Sequence, residues 1–173
     1  LLVGVGPLPD PKQPQVYAPG LRLLTMLRGL DAEEHTCSLV EMPFGTLPVQ
    51  KSVTQIQLKH HMVVPPTADA AMRAINTLCE KDTFDAIVAL TDLGALAAAQ
   101  SSYGGPLWVD YFGHPAAERQ QQAFRHNSNE AIAEMWKTTL PVLLRADHFS
   151  VCSKAQRLAL VGELGAAGRL NSQ

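Results

Sequence analysis

Charge is scarce in this chain. Of 173 residues, Asp, Glu, Lys and Arg make up 17%, and the formal net charge is −2. Nucleic-acid binding needs a basic face, and this balance makes no electrostatic case for it. Cysteine is scarce too: Cys37, Cys79 and Cys152 are far apart, and no two have metal-ligand spacing. Their odd number argues against a disulfide framework, so three reduced, buried thiols in a cytoplasmic protein are expected. No run of 18 apolar residues occurs, so no transmembrane helix is expected. Leu1-Leu2-Val3 lacks the basic start and cleavage site of a signal peptide. Internal repeats, charge blocks and low-complexity stretches are missing as well.

What is present is apolar: 46% of residues, enough for one well-buried core in a chain of single-domain length. Short apolar runs alternate with helical patterns. Strands are expected at 1–5, 36–42, 52–58, 84–90, 106–111 and 148–152. The third alternates, with Val53, Ile56 and Leu58 against polar neighbours, which suits an edge. Phe84 to Leu90 is apolar throughout, as in a parallel strand buried on both faces.

Helical spacing marks Leu21, Leu24, Leu27 and Leu30, and again Met72, Ile75 and Leu78 behind a Thr67 cap. A short Ala-rich helix is expected over 93–100, and Pro115 suits the first turn of another. Asn127 and Glu130 read as cap and partner of a long helix to Arg145, which Pro141 should kink or interrupt. Near the end, Ser153 and Gln156 form a capping-box pattern before Leu158, Val161 and Leu164, and Gly168 falls where a C-terminal cap belongs. This alternation predicts an α/β fold: a Rossmann-like, doubly wound, mainly parallel sheet of about six strands with helices on both faces.

In such a sheet, ligands bind beyond the carboxyl ends of the strands. Gly4, Gly6 and Pro7 open a Pro-rich loop that runs to Gly20, where glycine lets backbone approach a phosphate or sugar. As a dinucleotide fingerprint it fails, because Pro9 takes the third glycine position and the loop before the helix is long. Asp92 follows the most buried strand, either as a helix cap or as a cleft contact. Asp110, Tyr111, Gly113 and His114 crowd the end of the next strand. Asp110 could accept hydrogen bonds from sugar hydroxyls. His114 could orient an acceptor or balance phosphate charge, or simply cap a helix. Glu118 lies in the first helical turn, favoured by the dipole. Adjacent His60 and His61 point to opposite faces of a strand and do not easily share one metal. Glu41 ends the second strand, where nucleotide enzymes place a ribose-binding acid. Arg157 and Arg169 suit solvated or hinge contacts.

The Gly-Pro first loop, the segment around Asp110 and above all the strand and Ser-x-x-Gln-Arg helix from Ala146 to Asn171 resemble the N-terminal domain of two-domain, nucleotide-sugar-dependent glycosyltransferases of the GT-B type. The resemblance implies a single Rossmann-like domain over residues 1–173, the acceptor-side half of such an enzyme. The donor would be a nucleoside-diphosphate sugar, with no other cofactor and no metal. Most donor contacts would come from a C-terminal domain not contained here, so the fragment alone would be inactive. The family often has His where Asp110 stands. Asp110 and His114 are then the expected catalytic residues. Gly4, Gly6, Pro7, Gly20, Asp92, Tyr111 and Gly113 are the expected substrate contacts. The first loop and the 110–114 loop should lie side by side. Two other classes stay open: a nucleotide- or S-adenosylmethionine-binding Rossmann enzyme domain, suggested by Gly4, Gly6 and Glu41, and a non-enzymatic sugar-binding or regulatory domain.

Overall fold

The computed structural model describes residues 1–9, 16–44 and 56–170. The chain runs β1 (Leu2–Gly6), α1 (Ala18–Ala32), β2 (Leu39–Pro43), β3 (His61–Val63), α2 (Ala68–Lys81), β4 (Ile87–Leu90), α3 (Thr91–Ala99), β5 (Leu107–Tyr111), α4 (Pro115–His126), α5 (Glu130–Arg145), β6 (His148–Val151) and α6 (Lys154–Ala166). The six strands form one sheet in the order β3-β2-β1-β4-β5-β6, and every pairing is parallel. This is an α/β, Rossmann-like doubly wound fold. The order reverses between β1 and β4, so loops leaving these two neighbours diverge to opposite sides and open a crevice.

Two apolar cores hold the helices to the sheet. On one face, Leu23, Leu24 and Leu27 of α1 pack with Leu2, Leu39, Val88 and Leu90. On the other, Ile75 and Leu78 of α2, Ala95 and Ala98 of α3, and Val142 and Leu143 of α5 pack with Val3, Val40, Ile87, Ala89, Leu107 and Val109. Successive strand residues thus alternate between cores, while β1 and β4 are buried throughout.

Several sequence expectations shift. Of the third strand foreseen at 52–58, residues 52–55 lie outside the described residues and 56–58 are not strand. The pairing segment is His61–Val63, registered on Leu39, Val40 and Glu41 and placed at the sheet edge. Ile56 and Leu58 instead pack against the α1 core, so their alternation reflects burial of the approaching chain.

Asn127 does not start the long helix. With φ 49° and ψ 43° it ends α4 in the left-handed conformation that Asn tolerates, and Asn129 precedes α5. Pro141 does not interrupt α5, which runs from Glu130 to Arg145. Its neighbours Val142 and Leu143 are fully packed, and this burial outweighs the lost backbone bond.

The Ser153 cap forms, and the Gln156 side chain reaches back to the residue before Ser153. Ser153 Oγ accepts from the Gln156 amide at 3.2 Å, and Gln156 Oε1 accepts from the Cys152 amide at 2.9 Å. Gly168, at φ 72°, follows the C-terminal cap of α6. No described helix is long and apolar enough to cross a membrane.

Candidate functional site: a cleft at the β1–β4 crossover

A cleft of about 550 Å³ opens beyond the carboxyl ends of β1, β4 and β5. Val5 and Gly6 form its floor from β1. Tyr17 and Pro19 enter from the start of α1, and Phe44 from the end of β2. Thr91, Asp92 and Leu93 come from the start of α3, Phe112 and Gly113 from the end of β5, and Glu118 and Arg119 from the first turns of α4. The first loop's described ends and the loop after β5 thus share one cavity.

Each element is held there for an identifiable reason. Gly20 lets α1 close onto the first loop, because a Cβ at that position would run into the Pro7 carbonyl. Gly94 lets α3 settle on β1, where a Cβ would press on the Val3 carbonyl. Gly6 faces the Glu41 carboxylate too closely for any side chain. The Gly6–Pro7 peptide is cis. Thr91 starts α3 at φ 66°, an unusual conformation for a β-branched residue, with its hydroxyl buried and unpartnered among the described residues.

The polar wall carries three charges. Arg119 donates from Nη2 to Asp92 Oδ2 at 3.3 Å and from Nη1 to Gln122 Oε1 at 3.0 Å. Asp92 does not cap α3 from in front, since the helix begins at Thr91, but its Oδ1 accepts from the Leu93 amide at 2.8 Å. Burial, then the neighbouring Asp92, pushes the Glu118 carboxyl above its ordinary range. Its Oε1 lies against Gly113, where a Cβ would overlap it.

Of the residues expected from sequence to bind or react, Gly6, Asp92 and Gly113 line the cleft. Gly4 lies within β1 against Leu23. Pro7 and Gly20 meet one another and lie outside the lining. Tyr111 is 3% exposed and packs on Phe149 in the α5 core, and burial raises its phenol well above the ordinary value.

Asp110 and His114 sit outside the cleft lining. Asp110 is 0% exposed. It takes two hydrogen bonds from Arg22, at 2.9 and 2.8 Å, and one from Ser150 Oγ at 2.5 Å. Trp108 Nε1 in turn donates to Ser150 Oγ at 2.9 Å. His114 caps α4: its Nδ1 accepts from the Ala117 amide at 3.2 Å, and its Nε2 lies 3.4 Å from Glu163 Oε1 on α6. Burial raises the Glu163 carboxyl despite this His.

Glu41 is 5% exposed and fully engaged. Oε1 accepts from the Leu8 amide at 2.9 Å, and Oε2 lies 2.8 Å from His61 Nε2. His60 turns instead to Asp82 Oδ2 at 3.3 Å. The two histidines therefore serve different carboxylates, and the described residues contain no cluster of three metal-ligating side chains. Arg169 donates to the Leu144 and Ala146 carbonyls, tying the chain after α6 to the end of α5. Arg157 is exposed in the first turns of α6.

Sequence reading missed Arg22 and Arg119 as partners of the two aspartates, and it gave Glu118 only a dipole role. The spacing of Glu118 from Gly113 was the available signal, since it turns the first helical turn back over the strand end. No protein-family model matches the sequence, and no curated protein matches it either.

Proposed function

We propose that this chain is the acceptor-side domain of a glycosyltransferase that moves a sugar from a nucleoside-diphosphate sugar to an acceptor. The cleft is the observation that carries the reading. It lies at the topological switch point, where open α/β sheets bind ligands. It is lined by Tyr17, Phe44, Phe112 and Pro19 together with the carboxylates of Asp92 and Glu118. Flat apolar faces suit the C–H side of a sugar ring, and carboxylates suit its hydroxyls.

In this reading Gly6, Asp92, Gly113 and Glu118 contact the acceptor. Asp110 and His114 act as positioning residues. Asp110 locks the end of β5 to α1, and His114 fixes the N-terminus of α4. The developing diphosphate charge would be met by helix N-termini and by a second domain that closes the cleft.

The strand order also fits a dinucleotide- or S-adenosylmethionine-binding domain. Glu41 counts against it, because both carboxylate oxygens are already taken by Leu8 and His61. Saturation-transfer NMR on the chain discriminates the two readings, using a panel of simple methyl glycosides, NAD and S-adenosylmethionine. Transfer to glycosides alone supports the proposal. Transfer to NAD or S-adenosylmethionine, lost in Glu41→Gln, would overturn it.

A further inference from the structure

His114 makes two contacts that a single protonation state satisfies together. Nδ1 accepts from the Ala117 amide at 3.2 Å and so caps α4. An imidazole nitrogen that accepts carries no proton, so in the neutral ring the proton sits on Nε2. Nε2 is buried, without a hydrogen bond among the described residues, and faces Glu163 Oε1 of α6 at 3.4 Å. A second proton has only Nδ1 to go to. It would set N–H against the N–H of Ala117 and end the cap. It would also place positive charge at a helix N-terminus, where the macrodipole opposes it. Glu163 attracts the imidazolium from the other side, so the charged ring is drawn away from α4 and toward α6.

Both helices are lightly held. The buried residues of α4 are Pro115 and Ala123, and that of α6 is Leu160. The first turn of α4 nevertheless supplies Pro115, Glu118 and Arg119 to the cleft lining. A cap is therefore a large share of what fixes this wall. Among the described residues, the titratable groups around the ring are Glu118 on its own helix, Glu163 on α6 and the buried Tyr111 phenol at the end of β5. Asp92 of α3 and Arg119 of α4 bear on Glu118 in turn.

We propose that His114 is a proton-operated latch on the cleft wall. With one proton, on Nε2, it caps α4 and holds the first turn in place. With two, it releases the Ala117 amide, pairs with Glu163 and loosens the wall. Imidazoles as a class change charge between pH 5 and 8. The latch belongs to the fold and does not depend on the carbohydrate reading of the cleft.

Imidazole 15N spectra and amide-resolved hydrogen exchange between pH 8 and pH 5 test it, with exchange rates corrected for the intrinsic effect of pH. At pH 8 the ring should show the Nε2–H tautomer. As the ring charges, the Ala117 and Glu118 amides should exchange roughly fivefold faster, as expected for loss of one cap, with β1 and β4 unchanged. His114→Asn, which caps without titrating, should keep the first turn closed across the range. His114→Ala should show the faster exchange already at pH 8. An Nδ1–H tautomer at pH 8, or a ring that stays neutral down to pH 5, would overturn the proposal. So would protection that stays constant as the ring charges, or acid opening that persists in His114→Asn.

Discussion

Arg22 and Asp110 meet in a two-point contact, Nε to Oδ2 at 2.9 Å and Nη2 to Oδ1 at 2.8 Å, which joins α1 to the end of β5 across 88 residues of sequence. The aspartate is fully buried and the arginine side chain 30% exposed. A bidentate pair of this kind orients both partners, and loss of one leaves the other's charge uncompensated. Arg22→Met should therefore destabilise the fold by about 3 kcal/mol. The double variant Arg22→Met, Asp110→Leu should recover much of that loss. Urea unfolding of the three proteins measures this. Single and double variants of equal stability would show that the pair is not coupled.

Glu118 gives a pH signature. Its folded-state affinity for a proton is raised, by burial first and by Asp92 second. A carboxyl with a raised folded pKa costs nothing below its ordinary value of 4.5, and its cost grows as pH rises through the folded value. Glu118→Gln should match the wild-type melting temperature in acid and exceed it toward neutral pH. Glu163, raised by burial, works in the same direction. Melting curves across that range check the sign. An advantage of the variant over the wild type that is absent at neutral pH, or that shrinks on going from acid to neutral, would contradict it.

Two glycines of α1 should behave oppositely. Gly20 faces the Pro7 carbonyl, a backbone neighbour that cannot turn aside, whereas Gly29 has open space around it. Gly20→Ala should cost about 1–3 kcal/mol as overpacking. Gly29→Ala should gain about 0.5–1 kcal/mol by removing a helix-interior glycine. Thermal unfolding of both variants decides the contrast.

Ser153→Ala removes the hydroxyl that accepts from the Gln156 amide. The expected loss is about 1 kcal/mol, confined to α6. Hydrogen exchange should show earlier opening of the first turn of α6, with β1 and β4 unaffected.

The fold was legible because its strands declare themselves chemically. Ile87 to Leu90 and Leu2 to Gly6 are buried on both faces and carry no charge, so parallel pairing could be read directly. The helix from Ser153 was legible through its caps. Local patterns say less about partners distant in sequence, and the errors fall there. Ile56 and Leu58 alternate like a strand but pack beneath the sheet's edge. Asn127 is equally suited to starting a helix and to ending one in a left-handed conformation. Asp110 was expected to react because it stands at the carboxyl end of a strand, where ligands bind, in the segment that carries the glycosyltransferase resemblance. Only the tertiary placement of Arg22 and Ser150, 88 and 40 residues away, turns it inward. Glu118 was undervalued for the same reason. Its place against Gly113 and its nearness to Asp92 are set by other elements.

The most direct test of the account is an amide-resolved NMR titration of the chain with a neutral methyl glycoside. Shifts should gather at Gly6, Leu93, Gly113 and Arg119, around the crossover of β1 and β4. Shifts gathered instead near Trp108 and His148, or at the α4–α5 turn around Asn127, would contradict the assignment of the cleft as the sugar site.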